Sequence, residues 1–146
     1  MGVRQMHHVG VVVRDLDAAT AFFVGLGLEA GGKGVVEGGW VDRVVGLEGV
    51  RSEMVMLSTP DGHNRLELSR YLAPEDPEPP QAAPSHRHGL RHVAFLVDDL
   101  DAALGHVRDH GFTLVGDVQR YEDVYRLCYV RGPEGIIVEL AEELGG

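Results

Sequence analysis

The sequence predicts an α+β fold made of two tandem βαβββ modules, joined in a single domain over residues 1–146. The main observation is an internal repeat, since the segment Met6–Ala19 recurs as Leu90–Ala103 with a histidine at the same position. Each segment begins with a β-branched apolar run and continues with apolar residues at helical spacing, which is the pattern of a strand followed by a helix. A proline-rich segment lies between the two copies and is typical of an extended linker.

The opening strand and helix of each module are predicted from the repeated segment. His8–Val13 and His92–Val97 have the length and the residue types of strands that are buried on at least one face. Each run is followed by an aspartate, Asp15 or Asp99, at the position where it caps the next helix. Both modules therefore begin with a strand and a capped helix.

The later strands are predicted from apolar runs that lie between turn signals. They are Arg51–Ser58 and Arg65–Tyr71 in module one, and Thr113–Val118, Tyr125–Arg131 and Ile136–Glu142 in module two. The last strand of each module follows a Pro–acid–Gly sequence, which favours reversal between antiparallel strands. Module one also carries an insertion without a counterpart, Gly38–Gly49, which is a natural place for substrate selection.

The module boundaries follow from the position of the linker. Module one covers about residues 5–72, the linker about 73–88 and module two about 89–142, and five of the seven prolines lie in the linker. A module of about 60 residues with one helix buries little apolar surface alone. We therefore expect one domain rather than two independent ones.

Composition excludes several classes of partner. The formal net charge is -10 and the arginines are scattered, which disfavours nucleic acid. No stretch approaches the roughly 20 apolar residues of a membrane span, and the first residues do not resemble a secretory leader. We therefore expect a cytoplasmic protein with a small-molecule substrate. The single cysteine, Cys128, excludes a multi-cysteine metal site within one chain.

Four polar residues occupy equivalent positions in the two modules. His8 and His92 stand at the head of each first strand, and Glu67 and Glu139 stand in each last strand. Taken singly, each has a simple structural explanation, because a histidine at a strand start is often only hydrogen-bonded and a strand glutamate often faces solvent. Taken together, two imidazoles and two carboxylates are a donor set for Zn, Ni, Co, Mn or Fe(II) that leaves open positions on the ion.

At these residues the sequence resembles the vicinal oxygen chelate superfamily, of the glyoxalase, bleomycin resistance protein and dioxygenase type. The resemblance extends over Gln5–Glu142 and is strongest to lactoylglutathione lyases and methylmalonyl-CoA epimerases. It implies that the paired modules curl into a mixed sheet around a central cup, and that the protein is a homodimer. The motifs that carry it are His8-Val9-Gly10 with Asp15-Leu16-Asp17, Gly62 to Leu68, His92-Val93-Ala94 with Asp98 to Asp101, and Pro133-Glu134-Gly135 to Leu140.

The resemblance also implies a ligand set and a reaction. His8, Glu67, His92 and Glu139 match the metal ligands, and a glutamate at the position of Glu67 is typical of the glyoxalases. The implied enzyme is a lyase or isomerase that moves a proton on carbon next to a carbonyl of a small thiol adduct or thioester, through an enediolate stabilised by the metal. The candidate base is Glu139 or Glu67, and the alternative is that both stay on the metal while Glu48 or a metal-bound hydroxide acts as the base.

Three other functions stay open at this point. The linker and the stretch Glu48–Arg51 are similar to the epimerase pattern, which favours a methylmalonyl-CoA-epimerase-like racemase. A bleomycin-type resistance protein binds its ligand without chemistry, and the presence of the metal set argues against that class. An extradiol dioxygenase uses a related triad of ligands and requires Fe(II) and O₂.

Overall fold

The computed structural model describes residues 1–145 and shows an α+β fold with two five-stranded sheets and three α-helices in this range. The chain divides into two compact units, Met1–Pro79 and the residues from Pro80 onward. Each unit contains one of the predicted modules, so the names module one and module two are kept for them. Within residues 1–145, no helix has the combination of length and apolar character that a membrane crossing requires.

Module one consists of five strands and two helices. In chain order they are β1 (Val9–Val12), α1 (Leu16–Leu26), β2 (Glu29–Ala30), β3 (Gly34–Glu37), α2 (Gly39–Val45), β4 (Arg51–Ser58) and β5 (Arg65–Ala73).

Module two repeats this order without the second helix. Its elements are β6 (His92–Leu96), α3 (Leu100–Asp109), β7 (Thr113–Leu114), β8 (Gln119–Tyr121), β9 (Tyr125–Arg131) and β10 (Ile137–Glu143), and a short 3₁₀ turn, Pro133–Gly135, precedes β10.

The two sheets have the same topology. In module one, β1 pairs in parallel with β5, β5 pairs antiparallel with β4, and β2 and β3 both pair with β4. In module two, β6, β10 and β9 take the same places, and β7 and β8 both pair with β9. The first and last strands of each module are therefore neighbours, although most of the module separates them along the chain.

Aspartate caps fix the start of the long helices as predicted. The side chain of Asp15 accepts a hydrogen bond from the N–H of Ala18 at 3.0 Å, and Asp99 accepts one from Ala102 at 3.0 Å. Each bond satisfies one of the N–H groups that a helix start leaves without an intrahelical partner. The turn from strand to helix in the repeated segment thus uses the same aspartate cap in both modules.

The core of each module lies between its long helix and the last strand of its sheet. Leu66 and Leu68 of β5 are 2% and 0% exposed, and Val138 and Leu140 of β10 are both 0% exposed. Helix α1 contacts β5, and α3 contacts β10. Because strand side chains alternate between the two faces, the residue between each buried pair points to the opposite face. That residue is a glutamate in both modules.

Edge strands account for the main differences from the sequence prediction. The predicted strand Thr113–Val118 is broken, since β7 ends at Leu114 and pairing with β9 resumes only at Gln119 in β8. The N–H of Val115 still donates to the C=O of Tyr129 at 2.8 Å, after which the edge leaves the sheet. The short strands β2 and β3 of module one were not predicted, because two to four residues at an edge carry little periodicity.

Candidate metal centre

The predicted ligands of module one form a His–Glu pair. Nε2 of His8 lies 3.5 Å from Oε2 of Glu67, with 34% and 24% of the two side chains exposed. The parallel register places Gly10 beside Glu67, and His8 immediately precedes β1, two residues before Gly10. The pairing of the first strand with the last strand thus brings the histidine and the glutamate together.

The second ring nitrogen of His8 is held by its neighbour. Nδ1 of His8 lies 2.7 Å from Nδ1 of His7, and the two rings meet edge to face with centroids 5.0 Å apart. One of these nitrogens donates and the other accepts. This contact occupies Nδ1 and leaves Nε2 as the nitrogen directed at Glu67, which is how an outer partner orients a metal-binding imidazole.

The predicted ligands of module two form a second pair with the same geometry. Nε2 of His92 lies 3.7 Å from Oε1 of Glu139, with 37% and 22% of the side chains exposed. Here the register places Ala94 beside Glu139, two residues after His92. Both the topology and the spacing of the first pair are therefore repeated.

The neighbour of His92 is an aromatic side chain from the next strand. Tyr129 lies directly opposite Glu139 in the β9–β10 register. Its ring centroid is 4.8 Å from that of His92, and its hydroxyl lies 3.4 and 3.5 Å from the two ring nitrogens. At the equivalent position of module one, opposite Glu67, stands Met56. The two pairs thus share their donor atoms and differ in what packs against them.

The spacing and chemistry of both pairs fit a divalent ion. The N–O separations of 3.5 and 3.7 Å exceed the roughly 2.7–2.9 Å of a charge-assisted hydrogen bond. Imidazole and carboxylate ligands each bind at about 2.0–2.2 Å, so two neighbouring ligands on one ion lie about 3 Å or slightly more apart. Imidazole and carboxylate donors together suit borderline first-row ions.

Each pair supplies two donors. Among residues 1–145, no group of three or more His, Cys, Asp or Glu side chains gathers to hold a metal ion. The structure therefore brings together His8 with Glu67 and His92 with Glu139, and the complete four-residue set stays a prediction.

The alternative base, Glu48, lies apart from these pairs. It is exposed in the segment between α2 and β4. Asp42 shapes this segment, because its carboxylate accepts hydrogen bonds from the N–H groups of Gly49 and Val50 at 3.1 and 2.8 Å. Glu48 does not join His8 and Glu67 as a third donor in the described chain, and its catalytic role stays a prediction.

Cys128 adjoins the module two pair along β9 but is unsuited to nucleophilic chemistry. It is 4% exposed, and burial raises the pKa of its thiol above the ordinary value. A buried thiol of raised pKa is mostly protonated near neutral pH, and the thiolate is the nucleophilic form. Cys128 is therefore a core residue.

Charged side chains next to the sheets tie the helices down. Asp101 of α3 pairs with Arg126 of β9, and this contact raises the pKa of the guanidinium. In module one Lys33 pairs with Asp17 of α1 at 2.8 Å and with Glu53 at 3.6 Å, and the Asp17 hydrogen bond raises the pKa of the ammonium. These cations are occupied by carboxylates of their own module.

Sequence reasoning missed His7 and Tyr129 as parts of the site. His7 was visible as the neighbour of a candidate ligand, but its direction depends on the backbone before β1. Tyr129 was detectable only by aligning β9 with β10, since residues that face one another across an antiparallel pair are set by the length of the connecting turn. The signal is the register that puts Tyr129 directly opposite Glu139, and therefore on the same face of the sheet.

The chain belongs to the Glyoxalase/Bleomycin resistance protein/Dioxygenase superfamily, whose family model matches residues 7–129. This confirms the resemblance read from the sequence, and the match includes His8, Glu67 and His92. The structure is similar to that of a glyoxalase family protein from Bacillus cereus, with 46% identity, a TM-score of 0.95, and coverage of 99% of this chain and 97% of that one. The predicted vicinal oxygen chelate fold is therefore confirmed.

Two curated relatives extend over most of the chain. The uncharacterized protein YaeR of Escherichia coli K12 is 27% identical and covers 98% of this chain and 99% of its own length. The 2-epi-5-epi-valiolone epimerase of an Actinomyces species is 29% identical over 95% of this chain and 79% of its own length. The second of these relatives is named as an enzyme, an epimerase.

Proposed function

We propose that this protein is a divalent-metal-dependent lyase or isomerase that moves a proton on carbon next to a carbonyl. The substrates that the family resemblance favours are small thiol adducts and thioesters. The observation that carries the proposal is the repeated His–Glu pair, with N–O distances of 3.5 and 3.7 Å at equivalent positions of two modules. Packing alone gives no reason to keep an imidazole and a carboxylate together twice.

His8, Glu67, His92 and Glu139 would hold the ion, which the donor set identifies as Zn, Ni, Co, Mn or Fe(II). The four ligands would come from one chain or from two chains of a homodimer. When bound, the ion supplies Lewis acidity that stabilises negative charge on the substrate oxygens. Two glutamates balance the ion's charge, and the histidines add neutral donors that Glu67 and Glu139 flank.

The proton is moved by a carboxylate, for which we favour Glu139 over Glu67 and Glu48. Glu139 lies in a strand whose neighbouring residues, Val138 and Leu140, are fully buried, so its backbone is fixed. Its side chain is 22% exposed, much as that of Glu67 is, but Glu139 also lies opposite Tyr129, which lines a cavity large enough for part of a substrate. A carboxylate of ordinary pKa near 4.3 is a weak base toward carbon, so its position next to the reacting carbon is essential.

An epimerase is the second candidate. The observation that favours it is the likeness to 2-epi-5-epi-valiolone epimerase over 95% of this chain. Epimerisation uses the same first step, and the proton then returns to the opposite face of the carbon. The two candidates therefore share the site and differ in the product.

Metal content with matched variants tests the proposal. The native chain, His8→Ala and Glu139→Ala are each stripped, reloaded with each candidate ion and measured for bound metal. We expect both variants to lose stoichiometric metal, while His86→Ala, which changes an exposed histidine of the linker, keeps it. Unchanged metal in both His8→Ala and Glu139→Ala would exclude the site.

Isotope exchange then separates the classes of reaction. A panel of hemithioacetals and thioesters is incubated with the loaded protein in D₂O without oxygen. Exchange of a substrate carbon proton supports the lyase and isomerase proposal. Turnover that requires Fe(II) and O₂ indicates an oxygenase, and tight binding without exchange indicates a ligand-binding protein.

A further inference from the structure

A cavity in module two opens where the edge of the sheet breaks between β7 and β8. It is shallow and open to solvent, and its volume of about 480 Å³ is enough for part of a small molecule. Val115, Gly116 and Asp117 of the break form one wall, and Leu127 and Tyr129 of β9 form the floor. The residues of the broken strand therefore lie against this cavity.

The cavity adjoins the module two pair through one side chain. Tyr129 lines the cavity, and the same ring packs on His92 with centroids 4.8 Å apart. Tyr129 also stands opposite Glu139 in the sheet register. A molecule in the cavity is thus one side chain away from the His–Glu pair.

The lining is hydrogen-bonding and aromatic but carries no excess of positive charge. Gln119, Tyr121 and Tyr129 offer an amide and two phenols. Arg120 is the cation of the lining, and its guanidinium pairs with Asp123 at 3.2 Å. Asp117 adds a carboxylate to the wall. Recognition of a phosphate or carboxylate relies on free arginine or lysine groups, which this lining does not gather.

Module one has diverged at the same positions. In the β3–β4 register, Gly34 and Val36 take the places that Gln119 and Tyr121 hold in module two, because they pair with Met54 and Ser52 two and four residues before Met56. At these two positions module one therefore has neither the amide of Gln119 nor the phenol of Tyr121.

On the basis of the proposed function, we propose that this cavity binds the non-reacting arm of the substrate, and that the arm is uncharged and contains a ring. The ring stacks on Tyr121 or Tyr129, and its polar substituents bond to Gln119 and the phenols. Arms with several phosphates or carboxylates, such as those of coenzyme A or glutathione, do not match the lining. The reacting end then lies on the module two side, beside Glu139.

Three metal chelators with one reactive group and different arms test this assignment. Acetohydroxamate has no ring, benzohydroxamate has an uncharged ring, and 4-carboxybenzohydroxamate has an anionic ring. Each is titrated into the cobalt(II)-loaded protein and followed by the visible absorption of the ion. We expect benzohydroxamate to bind about tenfold more tightly than acetohydroxamate, as one aromatic contact allows, and more tightly than 4-carboxybenzohydroxamate.

Two variants at equivalent positions decide which module holds the arm. Tyr121 is 57% exposed, so Tyr121→Ala tests the ring contact without opening the core. We expect Tyr121→Ala to remove most of the preference for benzohydroxamate and Val36→Ala to retain it. The proposal is overturned if the ring gives no preference, if Val36→Ala removes it instead, or if the carboxylate arm binds best.

A metal-free measurement keeps the two proposals distinguishable. Saturation-transfer NMR compares benzamide with acetamide on the protein without added metal. Binding of benzamide that Tyr121→Ala abolishes supports the cavity even if cobalt fails to bind, in which case the proposed function alone falls. Absence of benzamide binding in a protein that binds cobalt through His8 and Glu139 overturns the cavity proposal alone.

Discussion

The His–Glu pairs of the two modules have nearly the same geometry and different surroundings. The N–O distances are 3.5 and 3.7 Å, and the side chains of each pair are exposed to a similar extent. His8 is held by His7 at 2.7 Å, whereas His92 packs against Tyr129. The duplicated positions have kept the donor atoms while the residues around them changed. This difference teaches that the same His–Glu contact can be supported by different neighbours, a histidine in module one and a tyrosine in module two.

The largest expected effect separates the roles of the two glutamates. Glu139→Gln keeps the size of the side chain and removes its basicity, so we expect proton exchange to fall about 10³-fold, within the range for loss of a general base. Glu67→Gln should reduce exchange by about tenfold, because it removes one charged ligand and leaves the base in place. Rates are measured in D₂O on metal-loaded protein with the most active member of the substrate panel.

The opposite ranking would contradict this assignment. A larger loss in Glu67→Gln places the base in module one. A loss confined to Glu48→Gln moves it to the segment after α2, away from both pairs.

A smaller effect is expected at the neighbours that orient the histidines. His7→Phe keeps an aromatic ring but removes the nitrogen that bonds to Nδ1 of His8, and we expect metal affinity to fall about tenfold, as for other outer partners of metal ligands. Arg91 holds the equivalent place before His92, but its guanidinium bonds to the C=O groups of Arg87 and His88. Arg91→Gln should therefore leave metal affinity unchanged in the same competition titration.

Equal losses in both variants would show that the residue before each histidine acts only through the backbone. In that case the 2.7 Å contact between His7 and His8 has no influence on the donor atom.

The helix caps should respond equally in the two modules. Asp15→Ala and Asp99→Ala each remove a 3.0 Å hydrogen bond to a helix N–H, and each should lower the free energy of unfolding by about 1 kcal/mol. Urea unfolding followed by circular dichroism measures both, with Asp15→Asn and Asp99→Asn as variants that retain a capping oxygen. A loss in only one module would show that the two copies of the repeated segment do not contribute equally to stability.

The smallest effect concerns the turn that precedes β5. The pKa of Asp61 lies below its usual value near 3.8, because its carboxylate accepts hydrogen bonds from the hydroxyl of Thr59 and the N–H of His63. A carboxylate with a lowered folded pKa stabilises the fold above its unfolded pKa, and this stabilisation is lost as the pH falls through the folded pKa. We expect Asp61→Asn to be less stable than the native chain at pH 7, and this difference to narrow as the pH falls toward 2.

Thermal unfolding at the two pH values measures this difference. A gap in Tm that persists at pH 2 would mean that the carboxylate charge is not the source of the stabilisation.

Much of the fold was predictable because it depends on local sequence patterns, namely helix caps and apolar periodicity. Asp15 and Asp99 are capping residues before helical spacing, and the strands Arg51–Ser58 and Tyr125–Arg131 have the predicted bounds. The broken edge at Val115 was not predictable, because pairing at a sheet edge depends on the neighbouring strand and not on the residue pattern.

The sequence by itself determined the four candidate ligands. His8 and His92 occupy the same position of a repeated segment, and Glu67 and Glu139 interrupt apolar strands. Only the tertiary structure decided that each histidine meets the glutamate of its own module, because this depends on parallel pairing between the first and last strands. It also decided that Tyr129 joins His92 and that a cavity opens beside it. The physical reason is that residue type and periodicity fix the face of a strand, whereas strand order and register fix which side chains share that face.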